Sequence, residues 1–142
     1  MKQVLYFLLL LMFSISCGSQ LEEIVEEAYP DGSPKVVKIY LIIDNKKELL
    51  KEIAYYSNHR ERIEGEYKDG KRHGKWIYWY ENGNKWSEGY FKEGNRNGLG
   101  IAYHENGAKY IEGTYDDGKR VGKWRFWDEK GDLLKEINYD ED

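Results

Sequence analysis

Rings and branched apolar residues come in short runs along this chain, and Asp-Gly, Glu-Gly or Asn-Gly stands between the runs. Within Trp76-Ile77-Tyr78-Trp79-Tyr80, a period of two sends Trp76, Tyr78 and Tyr80 to one face and Ile77 and Trp79 to the other; Trp124-Arg125-Phe126-Trp127 repeats the arrangement. Such runs, bounded by dipeptides that tolerate positive φ, are the local signature of β-hairpins. The pattern predicts strands over 35–43, 48–56, 60–68, 75–80, 85–92, 99–104, 109–116, 123–128 and 133–139. The expected fold is all-β: an antiparallel meander of about nine strands in a single twisted sheet.

The runs are periodic. Gly65, Gly89 and Gly113 are 24 residues apart and open the units 65–88, 89–112 and 113–136. Glycines recur at 70, 94 and 118, at 74, 98 and 122, and at 83, 107 and 131; Arg72, Arg96 and Arg120 match, as do Tyr67, Phe91 and Tyr115. Each unit therefore makes two strands. Gly70, Gly74, Gly94, Gly98, Gly118 and Gly122 are expected to be structural turn residues, holding backbone where a side chain costs energy. Upstream, Leu49-Leu50-Lys51-Glu52-Ile53 matches Leu133-Leu134-Lys135-Glu136-Ile137, which argues for a strand where the five residues alone suit a helix.

The N-terminus reads differently. The apolar run from Val4 to Phe13 is too short for a membrane span, which takes about 20 residues, and suits a signal peptide over 1–16. Residues 17–30, with the acidic stretch Leu21-Glu22-Glu23-Ile24-Val25-Glu26-Glu27, are expected to be a tether or short helix, and 31–142 the repeat domain. Ser16-Cys17-Gly18-Ser19 resembles a bacterial lipoprotein signal, with Ser14 where that pattern usually carries Leu, Val or Ile. That resemblance implies lipidation at Cys17 and an exported protein anchored to a membrane, facing the periplasm or the cell surface. A lone cysteine forms no intramolecular disulfide.

Asn97-Gly98-Leu99-Gly100, set after Phe91-Lys92-Glu93-Gly94 and before Glu105-Asn106-Gly107, resembles the membrane occupation and recognition nexus (MORN) repeat. Gly74-Lys75-Trp76 and Gly122-Lys123-Trp124 in the flanking units are similar to the bacterial variant found in YwqK-family antitoxins. The resemblance covers 65–136 closely and 29–64 loosely. It implies hairpin repeats and a scaffold, lipid-associated or antitoxin-type role, and fold alone does not choose among these.

The inventory for chemistry is thin. His59, His73 and His104 fall at different points of the repeat, and none has the neighbours of a zinc site or a catalytic triad. No glycine-rich phosphate loop precedes a helix. With 22 Lys+Arg against 26 Asp+Glu the formal charge is −4, which disfavours nucleic acid as a partner. The expectation is no enzyme, no cofactor and no metal.

Binding chemistry is better represented. Glu64, Glu88, Glu112 and Glu136 recur every 24 residues and should form a column spaced by roughly 10 Å, too wide for an acid/base dyad. Cross-strand pairing with Lys75 and Lys123 is its structural reading, and partner contact its functional one. Trp76, Trp79, Tyr103, Trp124 and Trp127 put rings on both faces, as sheet glue or as a docking platform. Lys71-Arg72, Arg96 and Lys119-Arg120 form a basic turn column, each beside Asp69, Glu93 or Asp117. These residues together point to a non-catalytic module at the cell envelope that binds a protein, with envelope glycan or lipid headgroups as the alternative ligands.

Overall fold

The structure is a computed structural model and describes residues 18–140. The expected leader and Cys17 lie outside the described residues. Ten strands follow one another: β1 (Ser19–Ala28), β2 (Pro34–Ile43), β3 (Lys46–Tyr55), β4 (Glu61–Lys68), β5 (Lys71–Trp79), β6 (Lys85–Lys92), β7 (Asn95–Tyr103), β8 (Lys109–Asp116), β9 (Lys119–Trp127) and β10 (Leu133–Asn138). Each pairs antiparallel with the next, giving one open sheet in sequence order. The all-β meander expected from the hydrophobic pattern is what forms.

Two details correct the sequence reading. The first concerns residues 17–30, read as a tether: Ser19–Ala28 is a strand, which raises the count to ten. Its glutamates are poor strand formers, but they gain partners across the sheet. Glu27 pairs with Lys35 at 2.7 Å, Glu22 with Lys47 at 3.3 Å, and Glu26 accepts a hydrogen bond from the Tyr40 hydroxyl. The second concerns β5, β7 and β9, which begin four residues earlier than expected. Gly74, Gly98 and Gly122 looked like the turns before these strands. They lie inside them, where the register slips in a β-bulge, with φ of 63°, 95° and 62°.

The tight turns fit their residues. Asp69-Gly70, Glu93-Gly94 and Asp117-Gly118 have positive φ at both positions, the requirement of a type I′ hairpin. At the opposite edge of the sheet the longer turns stack on one another. The Tyr56 and Tyr80 hydroxyls donate to the carbonyls of Trp79 and Tyr103, 23 residues on, while Asn58, Asn82 and Asn106 amides donate to Glu81, Glu105 and Glu129 carbonyls. His104 occupies the slot of Tyr56 and Tyr80. Its Nε2 lies 3.0 Å from the Trp127 carbonyl, which can only accept, so Nε2 carries the proton. A single layer has little room for a core; the buried apolar residues among those described are Val37, Ala54, Trp76 and Trp124.

Candidate functional site

Partners directly opposite in an antiparallel ladder project to the same face, so the register sorts the side chains. Ile63 and Gly65 stand opposite Tyr78 and Trp76, which stand opposite Ser87 and Gly89; this is the ring face. Glu64 and Glu88 flank Ile77, Glu88 and Glu112 flank Ile101, and Glu112 and Glu136 flank Arg125; this is the glutamate face.

On the glutamate face every member of the predicted column has a cationic partner. Glu64 pairs with Lys51, Glu88 with Lys75 at 2.7 Å and Lys85 at 3.1 Å, Glu112 with Lys109, and Glu136 with Lys123 at 3.1 Å and Arg125 at 2.8 Å. The pairing predicted for Lys75 and Lys123 forms. Trp79, Tyr103 and Trp127 belong to this face and are half-buried. Lysine side chains roof two of the rings, Lys85 over Tyr103 at 5.9 Å and Lys109 over Trp127 at 5.1 Å.

Glu88 is the best enclosed of the column, with 14 % of its side chain exposed. Burial raises its pKa, but hydrogen bonds from Lys75, Tyr103 and Lys85 together outweigh that and hold it at about 2, below the ordinary 4.5. The Tyr103 hydroxyl, partly buried and donating to Glu88 at 2.8 Å, is pushed up to about 12. A carboxyl whose folded pKa is depressed contributes stability that is complete above its unfolded value and lost as pH falls through the folded one. Glu88→Gln is therefore expected to cost on the order of 2 kcal/mol at neutral pH, and the gap should close on acidification from 4.5 towards 2. Urea melts of both proteins across that range measure it, and a constant gap contradicts the assignment.

The ring face is built by repetition. Trp76 lies flat on Gly65, its Nε1 donating to the Glu66 carbonyl at 3.0 Å, with Tyr67 edge-on at 5.3 Å and Phe91 at 6.0 Å. Trp124 does the same over Gly113, between Tyr115 at 4.8 Å and Tyr139 at 6.1 Å. With exposures of 0 % and 2 %, Trp76 and Trp124 present no area to a partner. Their candidacy as contact residues is corrected on that ground: they are the core. The basic column is also reassigned. Arg72 lies 4.2 Å over the Trp76 ring and Arg120 4.4 Å over Trp124, while Arg96 sits between Phe91 at 5.6 Å and Tyr115 at 5.2 Å. Cations stacked on rings in this way interact with the ring quadrupole.

The middle unit departs from its neighbours. Gly100 and Ala102 occupy the slots of Trp76 and Tyr78, and of Trp124 and Phe126. Where those two side chains are missing, the ring face opens into a cleft of about 480 Å³ whose walls include Tyr78, Trp86, Tyr110 and Phe126. Trp86 and Tyr110 stand 50 % and 44 % exposed. Neither was singled out from the sequence, although the aromatic ring that recurs in their shared repeat slot was a visible signal. Among the described residues no group of His, Cys, Asp and Glu is arranged to hold a metal ion.

A single open layer of hairpin repeats, with a lysine-glutamate lattice on one face and stacked rings and guanidiniums on the other, defines the class: a β-meander repeat protein that offers surfaces. Residues 72–93, 96–117 and 120–141 match the family model described as a MORN repeat variant, in three tandem copies. These copies keep the 24-residue period of the units that open at Gly65, in a different phase. MORN repeats are commonly protein- or lipid-binding modules, and proteins built from them are generally non-catalytic. No curated protein matches the chain.

Proposed function

We propose that this protein is a non-catalytic interaction module that binds another protein through the ring face, acting as an antitoxin- or immunity-type protein held at the cell envelope by an acylated Cys17. The observation that carries the binding surface is the pair of half-exposed rings, Trp86 and Tyr110, beside an open cleft on a face that no second layer of the described residues covers. Side chains of this kind supply large contact area at low entropic cost. The glutamate face supports binding less well, because its carboxylates are paired and lysines lie over two of its rings.

Capture of a protein partner by three forms of the full chain tests this. Trp86→Ser with Tyr110→Ser should melt near wild type and lose the partner, whereas Trp79→Ser with Trp127→Ser should retain whatever partner it still folds to present. Retention by the first variant sinks the ring face, and retention of envelope glycan or anionic vesicles in place of protein selects the alternative ligand. The anchor is tested separately. Cys17→Ala should release the protein from membranes, and equal membrane retention of variant and wild type removes the lipid anchor.

A further inference from the structure

The cleft in the middle repeat is a vacancy in an otherwise repeated ring lattice, and its chemistry specifies an occupant. Gly89 and Gly100 face each other across the ladder without the indole that lies on glycine in the outer units; here the Arg96 guanidinium lies beside Gly89 and the edge of the Tyr115 ring lies against Gly100. Aromatic walls stand around it, Tyr78 and Trp86 from the unit before, Tyr110 from the middle unit itself and Phe126 from the unit after. One more ring between these walls, over Arg96 and Tyr115, would complete the row.

Of the two arginines that line the cleft, Arg96 and Arg120, the first adds a second requirement. Arg72 donates to the Tyr78 hydroxyl at 3.1 Å and Arg120 to the Tyr139 hydroxyl at 2.9 Å. Arg96 has Ala102 in the slot of Tyr78. Among the described residues its guanidinium has ring neighbours, Phe91 and Tyr115, but no hydrogen-bonded or ionic partner. An exposed guanidinium held in place by two rings, with its donors free, matches a carboxylate. Resting on the protein-binding reading above, we infer that the cleft receives an aromatic side chain next to an acidic residue on an extended partner segment, the ring filling the place of the missing indole and the acid meeting Arg96. A partner segment suits the site better than a free small molecule, because the cleft is open along the sheet surface and small-molecule sites enclose most of their ligand.

The probe is the peptide acetyl-Asp-Trp-Gly-amide carrying 5-fluorotryptophan, titrated with the full chain and followed by fluorine NMR. Two control peptides replace Asp with Lys or the ring with Leu. Wild type should bind the Asp-Trp peptide and prefer it over the Lys-Trp peptide by roughly tenfold. Gly100→Trp supplies the indole from within, opposite Gly89; its Cβ would stand 3.0 Å from the Tyr115 ring, which must give by a few tenths of an ångström, and the variant should still melt cooperatively while losing binding by about tenfold or more. Ala102→Tyr, which restores the other missing ring, should weaken binding in the same direction. Arg96→Gln should abolish the preference for Asp over Lys while keeping the preference for the ring over Leu. Unaltered binding by both filling variants overturns the proposal, as does equal binding of the two charged peptides to wild type or tighter binding of free indole-3-acetate than of the peptide. Loss of peptide binding alongside intact partner capture by wild type removes the cleft and leaves the protein-binding reading standing.

Discussion

Trp76→Ala should be the most damaging single truncation in the sheet, costing about 3–5 kcal/mol. The indole is fully buried although the described residues form a single layer, because it lies down on Gly65 and is walled by Tyr67, Phe91 and the Arg72 guanidinium. Removing it strips ring contacts from all three, ends the cation stacking, and leaves the Glu66 carbonyl without its 3.0 Å donor. No overlying layer can relax into the gap. A domain of this size has about 5–15 kcal/mol in total, so the variant should unfold at a much lower urea concentration. Trp86→Ala should cost less than about 1 kcal/mol, because half of that ring is already in solvent. Urea melts of the two variants decide the matter: comparable midpoints for both contradict the assignment of Trp76 to the core and of Trp86 to the surface.

The same residues show what the sequence could and could not convey. The period of 24 and the Asp-Gly and Glu-Gly turns specify hairpins through local backbone chemistry, and those hairpins form, with the strands that follow the turns starting four residues earlier than expected. Alternation put Trp76 and Tyr78 together and Trp79 opposite them, which the register bears out. It carries no sign of which face is buried, because both faces hold rings. The answer depends on the cross-strand neighbour. Trp76 meets Gly65, which leaves room for an indole to lie flat; on the other face, Tyr103 stands opposite Lys109. The arginines escaped for a related reason. Arg72 and Arg120 follow a turn and read as solvated charges, and only the bulge at Gly74 and Gly122 brings the strand round so that they lie over the rings. Register slips are set by pairing between strands, which a periodic reading of one strand does not contain. The acidic β1 was misread likewise, since its partners Lys35, Tyr40 and Lys47 come from the next two strands.

Gly65→Ala and Gly89→Ala should have sharply different effects, although the two glycines occupy equivalent slots of the repeat. At Gly65 a methyl group would fall inside the six-membered ring of Trp76, and the strand cannot retreat because Gly65 is laddered on both sides, to Glu52 and to Trp76 itself. The indole must lift off the sheet, losing its hydrogen bond and its burial, at about 3 kcal/mol. Gly113→Ala should behave in the same way beneath Trp124. At Gly89 the nearest atoms to such a methyl group are the Leu99 carbonyl oxygen at 3.6 Å and the Arg96 guanidinium and Gly100 Cα at 3.7 Å, which are ordinary contacts. Alanine also loses less backbone entropy than glycine in a strand, so Gly89→Ala should be neutral or stabilising by about 0.5 kcal/mol. The difference comes entirely from residue 100, where the middle repeat has glycine in place of tryptophan. Gly89→Ala should therefore become as costly as Gly65→Ala once Gly100→Trp is present, a coupling of about 3 kcal/mol in a double-mutant cycle. Four urea melts measure that cycle, and additive effects of the two substitutions would show that the indole at this slot does not rest on the glycine opposite.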